Sequence, residues 1–309
     1  MVKSYKKFPL VSIIMNCYNG EEYLYEAVQS VKDQSYKNWE LIFWDNKSTD
    51  NSRRIIESFK DKRIKYFLAK EHSNLHVARN LALKKTKGSF FCFLDTDDYW
   101  DKNKISSQIV KFKDKNINFI YSNCWLVNKN YIFKKKILST HTLPTGDVLD
   151  DMLKTYKVML PTIMIRKSAF NKCKIKFNEK YKIIGDYEVC LKLASLWKFE
   201  CVQQPLAYYR IHEKNFFILN KKTEIEELLN WYKNAKKFKY GKKIANNKNL
   251  KYLKKKIEYL KLYENYRKGG IFKVLINFIN SSWNLSKIKF LIKIILPRVI
   301  LKKISVYAE

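Results

Sequence analysis

A chain of 309 residues, 46% of them hydrophobic, is long enough to bury a sizeable core and too apolar to be a disordered protein. Its 7 glycines and 5 prolines exclude fibrous and low-complexity classes. The formal net charge of +33 sets up a field that attracts polyanions, so nucleic acid and an anionic membrane surface are both candidate partners.

The first hundred residues alternate between strand and helix patterns. Short apolar runs predict four strands, at residues 10–15, 40–44, 63–67 and 89–94. Apolar residues at helical spacing, or Ser/Thr/Asp caps, predict three helices, at 19–32, from 48–50 onward and at 75–85. This alternation predicts an α/β fold with a mostly parallel central sheet and helices on both faces, in which ligands bind beyond the carboxyl ends of the strands.

The pattern changes along the rest of the chain. Residues 105–211 are mixed, which is typical of an α+β continuation of the same domain. After Asn220, apolar residues at helical spacing before and after Gly269-Gly270 predict two amphipathic helices with a break at the glycines. Residues 231–309 carry 21 basic and 3 acidic residues, a net charge of +18. A bias toward Lys, Asn and Ile explains the total charge as well as a function does, but it leaves this asymmetry unexplained.

The cysteines and the apolar segments indicate in which cellular compartment the protein is expected. The chain has six cysteines, none forms a CxxC pair, and most lie in apolar runs, which is typical of buried thiols in a reducing compartment. The first apolar run is too short for a signal peptide, and no window reaches the ~18 uninterrupted apolar residues of a membrane-spanning helix. A cytoplasmic protein is therefore expected.

An acidic cluster follows the fourth predicted strand. The apolar run at 90–94 ends in three carboxylates within four residues, Asp95, Asp97 and Asp98. Like charges placed so close together are costly unless a cation or hydrogen-bond donors compensate them. Mg²⁺ and Mn²⁺ are hard cations that take one or two carboxylates together with phosphate oxygens. The alternative is an Asp-rich turn that caps a helix beginning near Asp101, and the residues alone favour neither reading.

Four further polar residues occupy positions suited to chemistry. Asp45 follows the second strand, where it can accept hydrogen bonds from a base imide or ribose hydroxyls, or simply cap a helix. Arg79 on the third helix suits phosphate or base contacts, or is a surface arginine. Asp186 precedes a helix, as a general base or as its cap. His212 ends an aromatic strand, as a ligand or as an ordinary core or surface residue.

Taken together and in this order, the motifs resemble glycosyltransferase family 2, the large inverting family with the GT-A fold. The resemblance covers roughly residues 8–215, and it is specific because both the order and the spacing of the motifs agree. The motifs are VSIIMNCYN at 11–19, DNKSTD at 45–50, ARN at 78–80, LDTDD at 94–98, LPTIMIRKSAF at 160–170, GD at 185–186 and YRIH at 209–212.

The resemblance implies a domain organisation and a set of residue roles. Residues 1–218 would form the GT-A catalytic domain, with a nucleotide-sugar half at about 8–100 and an acceptor half at about 101–218. Residues 219–309 would form a basic, amphipathic helical region. Asp186 would be the catalytic base, while Asp97 and His212 would hold the metal. The residues expected to bind the nucleotide sugar are Tyr18, Asn19, Asp45, Arg79, Asp95 and Thr96.

The resemblance also implies a reaction. A single hexose or N-acetylhexosamine would move from a nucleotide sugar, expected to be a UDP-sugar, to a hydroxyl of a lipid-linked or surface-polysaccharide glycan, with inversion and with Mn²⁺ or Mg²⁺ as cofactor. A polyprenyl-diphosphate-linked acceptor suits a protein attached to the inner face of the cytoplasmic membrane. The basic C-terminal region either contacts that anionic surface or packs on the catalytic domain.

Two departures from the family pattern and several alternatives remain. Gly185 stands where the family commonly has an acidic residue before the catalytic Asp, and Asn74 stands where a loop Gly is usual, a position at which Asn tolerates a left-handed backbone. A nucleic-acid-binding protein accounts for the charge but leaves the acidic clusters unexplained, so no nucleic-acid partner is expected. A sugar nucleotidyltransferase or dehydrogenase lacks support, because neither a Gly-rich dinucleotide fingerprint nor a P-loop is present. An inactive homologue is disfavoured because every expected carboxylate is present.

Overall fold

The computed structural model describes residues 9–128, 133–215, 219–235, 244 and 248–279, and of residues 265–279 it describes only the backbone. The chain divides into two compact units, Met1–Asn215 and Phe216–Glu309.

The first unit contains the strands and most of the helices. The strands are β1 Val11–Cys17, β2 Trp39–Asp45, β3 Ile64–Leu68, β4 Phe90–Phe93, β5 Tyr99–Trp100, β6 Phe119–Val127, β7 Lys135–Ile137, β8 Met164–Arg166 and β9 Phe199–Arg210. The helices are α1 Glu21–Lys32, α2 Ser52–Ser58, α3 Leu75–Leu83, α4 Lys104–Ile109, α5 Leu149–Lys154, α6 Lys167–Lys172 and α7 Gly185–Leu196. Two short 3₁₀ helices lie at Val110–Lys113 and Leu160–Thr162.

The described strands form one sheet with the order β3-β2-β1-β4-β8-β6-β9-β5, and β7 pairs with β6. Strands β3, β2, β1 and β4 are mutually parallel, as the alternation of strands and helices predicts. Every residue of β1, β2 and β4 is buried, which is typical of parallel strands covered on both faces. The predicted α/β architecture is confirmed.

The second half of the sheet determines which loops meet. Strand β8 runs antiparallel to both β4 and β6, while β6 and β9 are parallel partners along almost their whole length. The short β5 follows the acidic loop after β4 and pairs antiparallel with β9, with Tyr99 opposite Tyr208. The end of β9 therefore returns to the carboxyl end of β4, although more than a hundred residues separate the two in the sequence.

The second unit contains two described helices, α8 Lys221–Asn234 and α9 Leu250–Ile279. They pack on each other, and the buried residues include Leu228 and Trp231 of α8. Leu253 and Ile257 of α9 are also buried, and both belong to the apolar pattern that predicts the helix before Gly269-Gly270. The predicted break at Gly269-Gly270 is wrong, because α9 runs through both glycines. Each interior glycine costs a helix only about 1 kcal/mol relative to alanine, which flanking helix-forming residues offset.

Two further predictions concern cysteines and membrane spans. All six cysteines are free, as predicted, and all but the partly exposed Cys173 are buried. Among the described residues, no helix is both long and apolar enough to cross a bilayer. The last part of the basic C-terminal region, residues 280–309, lies outside the described residues.

Candidate active site

The turn after β2 is built around Asp45. Its buried carboxylate accepts hydrogen bonds from the Ser48 backbone N–H at 2.7 Å and from the Tyr66 hydroxyl at 2.7 Å. Lys47 in the same turn has a left-handed backbone, with φ 69°. Because each carboxylate oxygen accepts more than one hydrogen bond, Asp45 retains acceptor capacity at the edge of the sheet. Burial and the hydrogen bond to Asp45 raise the pKa of Tyr66, so this phenol remains a donor.

The loop after β1 is tied to the Asp45 turn. Asn19 adopts a left-handed backbone with φ 52°, which Asn tolerates well, and its side-chain oxygen accepts from the Thr49 backbone N–H at 2.8 Å. Tyr18 is exposed, and its ring centroid lies 4.2 Å from that of His72. Gly20 lies against Thr96, since a Cβ added at Gly20 would lie 2.8 Å from the Thr96 hydroxyl. The loops after β1, β2 and β4 therefore meet, and with them the predicted nucleotide-sugar residues.

Arg79 and Asp95 form an ion pair beneath this edge. The Arg79 Nη2 atom lies 2.9 Å and 3.2 Å from the two Asp95 carboxylate oxygens. Arg79 is only 4% exposed, whereas the Asp95 side chain is 32% exposed. The alternative of a surface arginine is therefore wrong. The buried Arg79 therefore holds the Asp95 carboxylate, which remains partly exposed at the site.

Asp97 belongs to a separate group of polar side chains. Its Oδ2 atom lies 3.1 Å from His212 Nε2 and 3.2 Å from Asn215 Nδ2. The Asn215 side-chain oxygen accepts from the His212 backbone N–H at 2.7 Å, and Arg210 Nε donates to the Asp97 carbonyl at 2.9 Å. The prediction from sequence included Asp97 and His212 but missed Asn215 and Arg210. The His-x-x-Asn spacing after β9 was the available signal for Asn215.

The third carboxylate of the acidic cluster has a structural role. Asp98 is buried and accepts a hydrogen bond from the Arg210 backbone N–H at 2.9 Å. Burial, followed by the neighbouring charges of Asp97 and Asp95, raises the pKa of Asp98 well above its usual range. Helix α4 begins only at Lys104, so the cluster does not cap that helix as the alternative reading required. Only Asp95 and Asp97 remain accessible to a ligand.

Asp97 and His212 fit a divalent cation. Among the described residues, no three or more His, Cys, Asp or Glu side chains converge as a metal site. A cation that binds a nucleotide needs only one or two protein ligands, because phosphate oxygens supply others. Two ligands at right angles around an ion at about 2.1 Å stand about 3.0 Å apart, close to the 3.1 Å between Asp97 Oδ2 and His212 Nε2. The pair therefore suits Mg²⁺ or Mn²⁺ bound together with a diphosphate.

Asp186 is the second residue of α7, whose N-cap is Ile184, so Asp186 is not the cap of this helix. Its half-buried carboxylate accepts from the Tyr187 backbone N–H at 2.8 Å. Burial raises the pKa of Asp186, the charge of Arg79 lowers it, and the charge of Asp95 raises it. A carboxylate with a raised pKa takes up a proton more readily, which suits a general base.

The two acids predicted to act together lie at a common site. Arg79, which is paired with Asp95, is close enough to Asp186 to act on its pKa. Burial and then the charges of four carboxylates, Asp98, Asp97, Asp95 and Asp186, raise the pKa of Tyr209. Asp97 and Asp186 therefore share an electrostatic neighbour, the Tyr209 phenol.

Helix α3 connects the two halves of the site. Asn74 is its N-cap, with an extended backbone at φ −66°, and its side-chain oxygen accepts from the backbone N–H groups of His76 and Val77. Asn74 does not adopt the left-handed backbone that Asn tolerates, because it caps the helix from an extended conformation. Asn80 donates to the Phe177 carbonyl at 2.9 Å and accepts from the Phe177 N–H at 3.0 Å. Helix α3 therefore holds the segment that leads to α7, a role that sequence reasoning did not assign to Asn80.

Comparison with known proteins identifies the family. The sequence profile of Glycosyl transferase family 2 matches residues 12–173, which span β1 to α6 and include the acidic loop. The chain belongs to this family. It is 32% identical over 258 residues to WfgD of Escherichia coli, a UDP-Glc:alpha-D-GlcNAc-diphosphoundecaprenol beta-1,3-glucosyltransferase, across 76% of this chain and 98% of WfgD.

Solved structures share the fold. Residues 1–349 of TarS from S. aureus, solved with UDP-GlcNAc, superpose with a TM-score of 0.63 at 18% identity, over 84% of this chain and 74% of that one. The mannosyltransferase PcManGT from Pyrobaculum calidifontis, solved with GDP-Man and Mn²⁺, gives 0.59 at 13% identity, over 92% and 79%. The protein is a glycosyltransferase with the GT-A fold. Neither a nucleic-acid-binding protein nor another nucleotide-using enzyme is favoured.

Proposed function

We propose that this glycosyltransferase moves a single hexose or N-acetylhexosamine from a UDP-sugar to a hydroxyl of a polyprenyl-diphosphate-linked glycan, with inversion at the anomeric carbon. The observation that carries the proposal is the common site of Asp186 and the Asp97–His212 pair around the Arg79–Asp95 ion pair. The name of WfgD supports the UDP-sugar and the lipid-linked acceptor. The UDP-GlcNAc in the TarS structure supports the same class of donor.

Asp186 is the base of the proposed reaction. Its carboxylate takes the proton of the acceptor hydroxyl while that oxygen forms a bond to the anomeric carbon. The bond between the anomeric carbon and the phosphate oxygen breaks on the opposite side, and UDP leaves with the bonding electron pair. Such a single displacement needs one base and a stabilised leaving group. The raised pKa of Asp186 favours proton uptake at this step.

The remaining site residues hold the donor. Asp45 and the exposed Tyr18 are proposed to contact the base, with Asn19 and Thr96 shaping the loops around it. The accessible Asp95 is proposed to reach the ribose, held in place by Arg79, which also contributes positive charge near the phosphates. Asp97 and His212 would hold Mn²⁺ or Mg²⁺, which neutralises charge on the departing diphosphate.

The basic second unit suits an anionic membrane surface. Lys251, Lys254 and Lys255 of α9 are exposed, and the last quarter of the chain carries most of the excess charge. Each basic residue close to an anionic bilayer contributes about 1 kcal/mol of attraction. Attachment to the inner face of the cytoplasmic membrane would bring the enzyme to a lipid-linked acceptor. Flotation with anionic liposomes tests this, because changing the three lysines to Glu should reduce binding, whereas equal binding would refute it.

A panel of nucleotide sugars tests the reaction itself. Purified protein with Mn²⁺ is offered UDP-, GDP- and dTDP-sugars together with undecaprenyl-diphosphate-linked GlcNAc. We expect transfer from a UDP-sugar, with the anomeric configuration inverted in the product as read by NMR. Transfer only from a non-uridine donor would refute the UDP assignment, and retention of configuration would refute the single displacement.

A further inference from the structure

His76 lies between the catalytic and acceptor-side segments in an unusual environment. It is the second residue of α3 and is 1% exposed, and its ring stacks on that of Phe177, with centroids 5.5 Å apart and an interplanar angle of 3°. Neither ring nitrogen has a hydrogen-bond partner among the described residues. Burial and the charge of Arg79 lower the pKa of His76 to about 3, so the ring is neutral. Burying an unpaired polar ring costs free energy, and packing alone favours an apolar side chain.

The same ring also lies against Gly185. A Cβ added at Gly185 would lie 2.5 Å from His76 Cε1 and 2.7 Å from His76 Cδ2, distances at which one group must move. The imidazole therefore fills the space that a side chain at position 185 would need. An acidic side chain, which the family resemblance leads one to expect at this position, would not fit beside the ring as it stands. The two positions form a complementary pair, with a large ring on α3 and no side chain on α7.

The contact between His76 and Gly185 directly precedes the proposed base, Asp186, in the sequence. Gly185 is the first residue of α7 and Asp186 the second, and the N-cap residue Ile184 has an apolar side chain that cannot accept a capping hydrogen bond. Because no side chain caps this end of the helix, packing against Gly185 contributes to where the first turn of α7 lies. Helix α3 is itself fixed from two sides, through the Arg79–Asp95 ion pair and through the hydrogen bonds between Asn80 and Phe177. Because α3 is held in place, the His76 ring on it limits how far the turn that carries Asp186 can move.

We propose that His76 is a positioning residue for catalysis, which sets the place of the Asp186 carboxylate by packing against Gly185. The inference rests on the proposed role of Asp186 as the base. In Gly185→Ala, either the first turn of α7 or the ring must shift. A displacement of about 1 Å at a reacting group costs about 10²-fold in rate. We expect kcat to fall by about that factor, with little change in the binding of UDP and Mn²⁺, because Asp97 and His212 are not displaced.

A double-mutant cycle tests this coupling. His76→Ala, Gly185→Ala and the double variant are compared for kcat with the UDP-sugar that gives transfer in the panel, and for UDP–Mn²⁺ binding by calorimetry. His76→Ala should lower kcat about 10-fold, because the turn loses its support, a smaller displacement than the one forced at Gly185. The double variant should recover at least about 10-fold relative to Gly185→Ala, because the added methyl group then has room. Leu196→Ala, at the exposed end of α7, is the matched control and should retain wild-type kcat.

The outcomes separate this inference from the proposed function. Wild-type kcat in Gly185→Ala, or purely additive effects in the double variant, would overturn the positioning role. If Gly185→Ala does not fold, His76→Ala alone tests the positioning role, because wild-type kcat in His76→Ala would also overturn that role. The acid limb of the pH–kcat profile should shift in Gly185→Ala, because a displaced Asp186 stands differently toward Arg79, and a purely structural role leaves that limb in place. Wild-type turnover by Asp186→Asn would instead refute the proposed base, whatever the cycle shows.

Discussion

Replacing Arg79 with Met tests the link between the stability of the site and its chemistry. Arg79 is 4% exposed and contacts both oxygens of Asp95, so Met leaves that carboxylate without its cation. Breaking a buried ion pair costs 3–5 kcal/mol, and we expect about 3 kcal/mol because water reaches the partly exposed Asp95. For a domain of this size, that loss lowers Tm by roughly 6–12 °C.

The same variant changes the pH dependence of the reaction. The charge of Arg79 lowers the pKa of Asp186, so its removal raises that pKa further. Because the base must be ionised to accept a proton, activity is lost as pH falls through its pKa. The acid limb of the kcat/KM profile should therefore move to higher pH in Arg79→Met. In Arg79→Lys, which keeps the charge, the limb should stay near its wild-type position.

The measurements are denaturant unfolding and a pH–rate profile for each variant. Arg53→Met is the matched control, because Arg53 pairs with Glu57 on the surface, with side chains 61% and 53% exposed. Such an exposed, solvent-screened pair contributes little to stability, and its loss should leave the pH–rate profile unchanged. The expected coupling would be refuted if Arg79→Met lost as little free energy of unfolding as Arg53→Met and if the acid limb of its kcat/KM profile did not move.

Three further predictions concern the neighbouring carboxylates. Asn215→Ala should weaken Mn²⁺-dependent UDP binding about 10-fold or more in calorimetry, because Asn215 orients Asp97, and unchanged binding would contradict this. Asp98→Asn should unfold much like the wild type, because the raised pKa of Asp98 favours its neutral form, which Asn resembles. Asp98→Ala should lose about 1–3 kcal/mol of stability by leaving the Arg210 N–H unpaired, and equal losses in the two variants would contradict this. Asp186→Asn should be at least as stable as the wild type at pH 7. The pKa of Asp186 is higher in the folded protein than in the unfolded chain, so its ionisation destabilises the folded protein as pH rises. A lower Tm for Asp186→Asn would argue against a raised pKa.

Much of the fold and the site was predictable from local sequence patterns. Strands β1, β2 and β4 are short, mostly apolar runs, and polar residues follow or end each of them, so both features can be read without a structure. Parallel strands bring their carboxyl ends to one edge, so Asp45 and Asp95 were expected there together. The order of the motifs then identified the family to which the chain belongs.

The contacts that sequence reasoning missed join residues far apart in the chain. Asn80 and Phe177 are 97 residues apart, and Asn215 lies 118 residues from Asp97, so no local periodicity reports either contact. The pairing of β5 with β9 creates the second contact, and a short strand of two residues gives almost no sequence signal. The error at Gly269-Gly270 arose because the low helix propensity of glycine was given more weight than the long helix around it.

The central claim is that Asp97 and Asp186 perform different tasks at one site, and one experiment compares them directly. Asp97→Ala and Asp186→Asn are measured for Mn²⁺-dependent binding of the UDP-sugar by calorimetry and for transfer to acceptor. The account predicts that Asp186→Asn binds the donor nearly as the wild type does yet transfers at least about 10²-fold more slowly, whereas Asp97→Ala loses metal-dependent donor binding. Wild-type transfer by Asp186→Asn, or unchanged metal-dependent binding by Asp97→Ala, would contradict it.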